Sequence, residues 1–165
     1  PTGHGTLVSL IASGAITPLG ADASEVGVPI LAVRVFDENG MTSSDILMRA
    51  IDYAIDSDIQ VINLSFGTYE EIGFLEYAVQ YAAEQGIAIF VAAGNDGLDV
   101  AVNPAASSST RSVGATDENG EVADYSNTKA DDFLPGSIIY DGKRHQGTSF
   151  AAPWGSYLYA TGNTD

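Results

Sequence analysis

The chain contains no cysteine. That excludes disulfides, thiol nucleophiles and cysteine-ligated zinc, but not secretion, since many secreted proteins also lack cysteine. Positive charge is scarce as well: six Lys and Arg stand against 22 Asp and Glu, a net charge of −16 over 165 residues. Such a surface repels phosphate backbones and anionic headgroups, which argues against nucleic acid and membrane surfaces as partners. The acids are scattered and read as a solvated surface suited to solubility, high salt or basic ligands. No run of 18 apolar residues offers a membrane span. No basic, apolar and small-residue signal segment opens the chain, which starts abruptly at Pro1. Only two histidines, His4 and His145, are available for proton transfer near neutral pH. No glycine-rich phosphate loop follows any of the apolar runs, which argues against a nucleotide-binding domain.

What is present is a hydrophobic content of 45%, enough at this length for one domain with a real core over residues 1–165. VPILAVRVF (28–36), IQVINLSF (59–66) and IAIFVAA (87–93) read as strands buried on both faces. Between them, Ile46, Leu47, Ala50, Ile51, Ala54 and Ile55 recur at helical spacing behind the capping-type residues Thr42, Ser43 and Ser44. Phe74, Leu75, Ala78, Val79, Ala82 and Ala83 mark a second helix, closed by Gly86. The alternation predicts an α/β fold: a three-layer sandwich with a mostly parallel, helix-covered sheet, both helices lying on one face. Ligands of such sheets bind beyond the carboxyl ends of the strands, here LSFG (64–67) and VAAGNDG (91–97).

From Leu98 to Gly147 the chain is richer in Ser, Asn, Asp and Gly, with strand-like pieces at 111–116, 121–126 and 137–141. DENG occurs twice, at 37–40 and 117–120, and neither copy continues into an EF-hand pattern, so both read as turns. FAAPWGSYLYA then predicts a buried helix starting near Thr148 or Ser149, with Pro153 within about the first turn, where a missing N–H costs little.

A nucleophilic serine needs a base within hydrogen-bond reach, and the base a third group to orient it. Ser149, in GTSFAAP, sits where helix N–H groups and the positive dipole end converge. His145 lies four residues earlier on the entering segment and reads as a surface or substrate-rim residue. His4, flanked by Gly3 and Gly5, is the base candidate once paired with GTS. Asn95 follows Ala-Ala-Gly at a strand end; its amide either donates to a developing oxyanion, together with the Ser149 N–H, or serves a turn.

GHGTLVSLIASG, ILAVRVF, VINLSFG, VAAGNDG, NPAA, SVGATD, YSN and GTSFAAP occur in the order seen in subtilisin-like serine peptidases, and this resemblance covers nearly the whole chain. It implies a serine endopeptidase that cleaves peptides through an acyl-enzyme, with His4 as general base, Ser149 as nucleophile and Asn95 as oxyanion donor. Ser65, Phe66 and Gly67, with Ala92, Ala93 and Gly94, resemble the two segments that pair with the substrate backbone and wall the first specificity pocket, Gly67 and Gly94 leaving room for the peptide. Phe66 suggests an apolar pocket entrance. The family's habit implies an extracellular or periplasmic site of action and no required cofactor.

The sequence departs from the family in one respect that matters. The triad aspartate belongs upstream of the histidine, and only Pro1, Thr2 and Gly3 precede His4. Asp22, Asp37, Asp96 and Asp141 all follow it and do not match. The resemblance therefore implies a domain incomplete at both ends, expected to be poorly active alone and completed by an upstream segment or propeptide. Leu7, Ser9, Trp154 and Gly155 differ from common family residues at packing positions. Structural calcium stays open: Asp22, Glu25, Asp99, Asp131 and Asp132 could bind it, but no metal site is assigned. The competing expectation is a non-catalytic scaffold of the same fold that binds peptides or partner proteins.

Overall fold

The computed structural model describes residues 3–23 and 26–163. Ten elements follow in order: α1 (His4–Ala12), α2 (Ser44–Asp56), β1 (Val61–Leu64), α3 (Gly73–Glu84), β2 (Ala88–Ala92), β3 (Arg111–Thr116), β4 (Asp132–Pro135), β5 (Ser137–Tyr140), β6 (Lys143–Gln146) and α4 (Thr148–Thr161). β1 to β4 form a parallel sheet in sequential order, and β5 and β6 form a separate antiparallel hairpin. The α/β expectation holds.

Period-two burial assigns the two faces of the sheet. Ile62, Leu64, Ile89 and Val91 point to one side, where they join Leu47 and Ile51 of α2 with Leu75, Val79 and Ala82 of α3. Both helices thus lie on the same face, as right-handed crossovers require. Phe90, Ala92, Val113 and Ala115 point to the other side, against Ala151 and Ala152 of α4. Beyond these, Leu7 and Ile11 of α1 pack with Phe150, Trp154 and Tyr157 of α4. α4 is buried on every side from Phe150 to Tyr157, which is why its sequence shows no polar face.

Local signals explain the element ends. Ser43 caps α2, its Oγ accepting the Ile46 N–H at 3.4 Å. Gly86 follows α3 at a positive φ of 86°. Both DENG segments are turns of one design: Asp37 Oδ1 accepts the N–H groups of Asn39 and Met41, and Asp117 Oδ1 those of Asn119 and Glu121.

Three expectations fail here. Residues 28–36 belong to no strand, and Ile30, Leu31 and Val33 are exposed rather than buried. A parallel strand needs ladder partners, and the sheet ends at β1, so this segment is held by other contacts. Its tail is anchored by the Phe36 ring edge-on to Phe66, with centroids 5.3 Å apart. Residues 121–126 form a turn with a single bridge, Thr116 to Val122, because Ser126 N–H closes back on the Ala123 carbonyl. Pro153 lies in the second turn of α4 rather than the first.

The unpaired state of 30–36 has a measurable consequence. Its amides are expected to exchange with solvent orders of magnitude faster than those of β2, whose residues 89–92 are buried. Equal protection of the two segments in a hydrogen-exchange experiment would contradict this architecture.

Candidate active site

The carboxyl ends of β1 and β2 and the start of α4 converge, and a proline explains how they are joined. Pro153 has no N–H to give the carbonyl four residues back, which is that of Ser149. Ser65, just past β1, fills the gap: its Oγ donates to the Ser149 carbonyl at 2.8 Å. In return the Ser149 Oγ donates to the Ser65 carbonyl at 3.3 Å. Asn63 Nδ2 donates in turn to Ser65 Oγ at 3.0 Å, while Asn63 Oδ1 is buried without a partner among the described residues.

Asn95, just past β2, is oriented by the same helix start. The Thr148 N–H and Oγ1 donate to Asn95 Oδ1 at 2.8 and 3.1 Å. A backbone N–H can only donate, so the amide oxygen must face Thr148, and Nδ2 is left without a partner among the described residues. Gly147 makes room beside it with φ 152°, a backbone that side chains rarely adopt. A Cβ there would lie 3.5 Å from Asn95 Oδ1, 3.8 Å from Asn95 Nδ2 and 3.8 Å from the Ser149 nitrogen. Two N–H donors thus flank a space that glycine keeps open.

α1 delivers His4 to the same helix start. Its ring lies 5.8 Å from that of Phe150, and His145 on β6 meets Phe150 at 6.3 Å. Neither Ser149 nor a carboxylate is hydrogen-bonded to His4 among the described residues; the Ser149 hydroxyl turns to Ser65 instead. Partial burial disfavours the imidazolium and lowers the His4 pKa below its ordinary 6.5.

A cleft of about 480 Å³ opens beside Ser149 and Asn95. Phe66, Gly67, Ala92 and Gly94 line it, whereas Ser65 and Ala93 do not. Ala93 is fully buried, with its N–H on the Val113 carbonyl and its own carbonyl taken by Val102 N–H and Asn127 Nδ2. Gly94 is likewise engaged, by Thr148 Oγ1 and the Asn127 N–H. The backbone groups of Phe66 and Gly67 have no partner among the described residues, so that side alone is open for pairing. The crowding that keeps Gly67 and Gly94 as glycine comes from inside the protein: a Cβ would meet Val102 Cγ2 at 2.2 Å and Asn127 Nδ2 at 2.3 Å, respectively.

The residue that sequence reasoning missed is Asn127, visible beforehand only as part of YSN. Fully buried, it makes four side-chain hydrogen bonds: Nδ2 to the Ala93 carbonyl and the Tyr69 hydroxyl, and Oδ1 from the Asp96 and Leu98 N–H groups. No pattern in the sequence distinguishes it from a turn asparagine. Among the described residues no group of three or more Asp, Glu or His is placed to hold a metal ion, and Glu25 lies outside them. No helix among them is long and apolar enough to cross a membrane.

Comparison with known proteins points the same way. The profile of the subtilase family matches residues 1–161. The chain is 35% identical to the minor extracellular protease Epr of Bacillus subtilis (strain 168), over 96% of its own length and 26% of that protein's. It is 38% identical to a thermophilic serine proteinase of Bacillus sp. (strain AK1), over 91% of its length and 40% of that protein's. It therefore spans well under half the length of these curated relatives. A cold-adapted subtilisin-like serine proteinase superposes with a TM-score of 0.72 at 30% identity, covering 86% of this chain and 56% of that one. The prenylagaramide maturation protease PagA superposes at 0.70 and 31%, covering 95% and 62%.

Two outcomes are expected from this geometry. Ser65→Ala leaves the Ser149 carbonyl unsatisfied and should cost about 1–2 kcal/mol in urea denaturation. Pro153→Ala restores an N–H to that carbonyl, so in the Ser65→Ala background it should recover about 1 kcal/mol more than in the parent. Strict additivity would rule out the compensation. For His4, an NMR titration should give a midpoint below 6.5. Because the unfolded chain then binds the proton more readily, this group's effect on stability should worsen as pH falls from 6.5 through the folded-state midpoint. A midpoint above 6.5 would mean that a carboxylate holds the ring.

Proposed function

This chain belongs to the subtilase family, and from that premise we propose that it carries the histidine, the oxyanion donors and the nucleophile of a serine endopeptidase. In this reading Ser149 Oγ attacks the scissile carbonyl while His4 takes its proton and later returns it to the leaving amine. Asn95 Nδ2 and the Ser149 N–H hold the oxyanion, and water releases the acyl-enzyme. The observation that carries the reading is the orientation of Asn95: with Oδ1 held by Thr148, its free N–H₂ and the Ser149 N–H flank the space kept open by Gly147. The free backbone at Phe66 and Gly67 offers a substrate peptide an edge to pair with. This chemistry draws on no cofactor. The match to a protease named as extracellular supports action outside the cell.

We further propose that the carboxylate orienting His4 comes from a strand outside these residues, seated along β1. Three features support it: among the described residues the outer edge of β1 is unpaired, the apolar segment 28–36 joins no ladder, and the buried Asn63 Oδ1 has no partner. The state of the site in this chain, with Ser149 bonded to Ser65 and no bond to His4, is what favours the second reading, a peptide-binding scaffold without catalysis.

A serine-directed phosphonate separates the two. A polypeptide extended upstream by the remainder of the domain should be labelled at Ser149, and the 165-residue chain more slowly by about 10⁴, the scale seen when such a triad loses its carboxylate, in subtilisin among others. Asn95→Ala should lower the turnover of the extended form by about 10²–10³, the loss measured for such a donor in subtilisin, a member of this family. An extended polypeptide that resists labelling would establish the scaffold reading.

A further inference from the structure

The DENG tetrapeptide at 37–40 and again at 117–120 places an exposed Asn-Gly step on two turns. The two turns are built alike. The Asp37 N–H donates to the Met41 carbonyl at 2.9 Å, and the Asp117 N–H to the Glu121 carbonyl at 2.8 Å. The Gly40 and Gly120 N–H groups return to the Asp37 and Asp117 carbonyls at 3.2 and 3.3 Å. Both glycines hold a positive φ, 74° and 83°, and a Cβ on either would meet nothing within 4 Å. The surroundings are what differs. Glu118 of the second turn pairs with Arg144 on β6, and that guanidinium also donates to Ser137 Oγ at 3.3 Å. A bridge from Thr116 to Val122 closes the base of the turn. Gly20 packs against the Glu118 carbonyl, where a Cβ would come within 3.3 Å. The first turn, residues 37–41, makes no hydrogen bond or salt bridge to another segment among the described residues, and Met41 is 67% exposed.

We propose that Asn39-Gly40 is a self-modification site, at which the turn loses its side-chain amide, and that the ties around Asn119-Gly120 protect the same step there. The Gly40 nitrogen, after losing its proton to hydroxide, attacks Asn39 Cγ. An N–C bond forms, the Cγ–Nδ2 bond breaks, and the amide nitrogen leaves as ammonia after taking a proton from water. Water then opens the five-membered imide at either carbonyl, leaving aspartate or isoaspartate at position 39. Glycine permits the attack because no Cβ crowds its nitrogen. In the closed turn the Gly40 N–H is engaged by the Asp37 carbonyl, so the reaction runs through local opening and its rate follows the opening equilibrium. The tetrapeptides are identical, so the intrinsic step is shared and the ratio of the two rates reports the ties alone. The product also disfavours the closed turn. The Met41 N–H, foremost, holds the Asp37 carboxyl below its ordinary pKa, so a new carboxylate at position 39 stands beside one already ionised. None of this depends on the peptidase chemistry.

The test incubates the full-length protein at mildly alkaline pH and follows amide-to-acid conversion and isoaspartate at both sites by peptide mapping. Asn39 should convert about tenfold faster than Asn119, the scale set by a modest difference in local opening. Both rates should rise with pH, because the nucleophile is a deprotonated amide. Arg144→Ala, which releases Glu118 and leaves the tetrapeptide intact, should speed conversion at Asn119 and leave that at Asn39 unchanged. Asn39→Gln, whose longer side chain would have to close a six-membered ring, should abolish conversion at that peptide. Equal rates at the two sites, or faster conversion at Asn119, would overturn the proposal, as would an absence of conversion at both. Conversion to aspartate without isoaspartate would show direct hydrolysis of the amide and overturn it too. Should Arg144→Ala fail to fold, the ratio of the two rates in the unaltered protein still decides.

Discussion

The reciprocal pair between Ser65 and Ser149 joins the end of a sheet strand to the first turn of a buried helix. The cleft lies beside that junction, with Ser149 among its lining residues. The helix is buried almost all round, so it cannot leave a carbonyl unsatisfied without a free-energy cost, and Pro153 removes the intrahelical donor from the Ser149 carbonyl. Recruiting Ser65 satisfies the carbonyl and ties the helix to β1. The position of Ser149 is thereby tied to the sheet as well as to the segment that carries it.

A second set of bonds does the same for the other side of the site. Asn95 takes its orientation from the Thr148 N–H, and Asn127 holds Ala93, Asp96 and Leu98 from beneath. Asn127 is a neutral amide in a buried place where a charge would be costly and an apolar residue would leave the Ala93, Asp96 and Leu98 backbone groups unpaired. The two loops beyond the strands are thus tied together by side-chain hydrogen bonds although neither has regular structure. Asn127 is the buried and fully hydrogen-bonded member of the pair, while Asn95 is exposed and engaged only through its Oδ1.

The sheet contributes position and leaves one side undefended. β2 and β3 are buried on both faces, while β1 alternates and presents a free edge. The segment 28–36 carries the apolar composition of an inner strand yet exposes Ile30, Leu31 and Val33. Composition and environment disagree there.

Much of this was legible in the residues. The helical spacing from Ile46 to Ile55 and from Phe74 to Ala83, the apolar runs at 59–66 and 87–93, and the two DENG turns all encode local geometry, which depends on near neighbours in the chain. The order of the histidine, asparagine and serine motifs was equally plain, because each motif is short. The residues 28–36 misled because an apolar run reports suitability for a buried strand and says nothing about whether partners flank it. Pro153 misled because its tolerance depends on Ser65, 88 positions away. Asn127, though part of YSN, gave no signal of its role, since that role exists only once the loops carrying Tyr69, Ala93 and Asp96 meet around it. Sequence alone determined the elements, the parallel α/β class and the candidate residues, all of which follow from periodicity and local motif chemistry. Tertiary structure decided which carbonyl was orphaned and which hydroxyl answered it, because a hydrogen bond between distant segments depends on distance in space, which no local pattern contains.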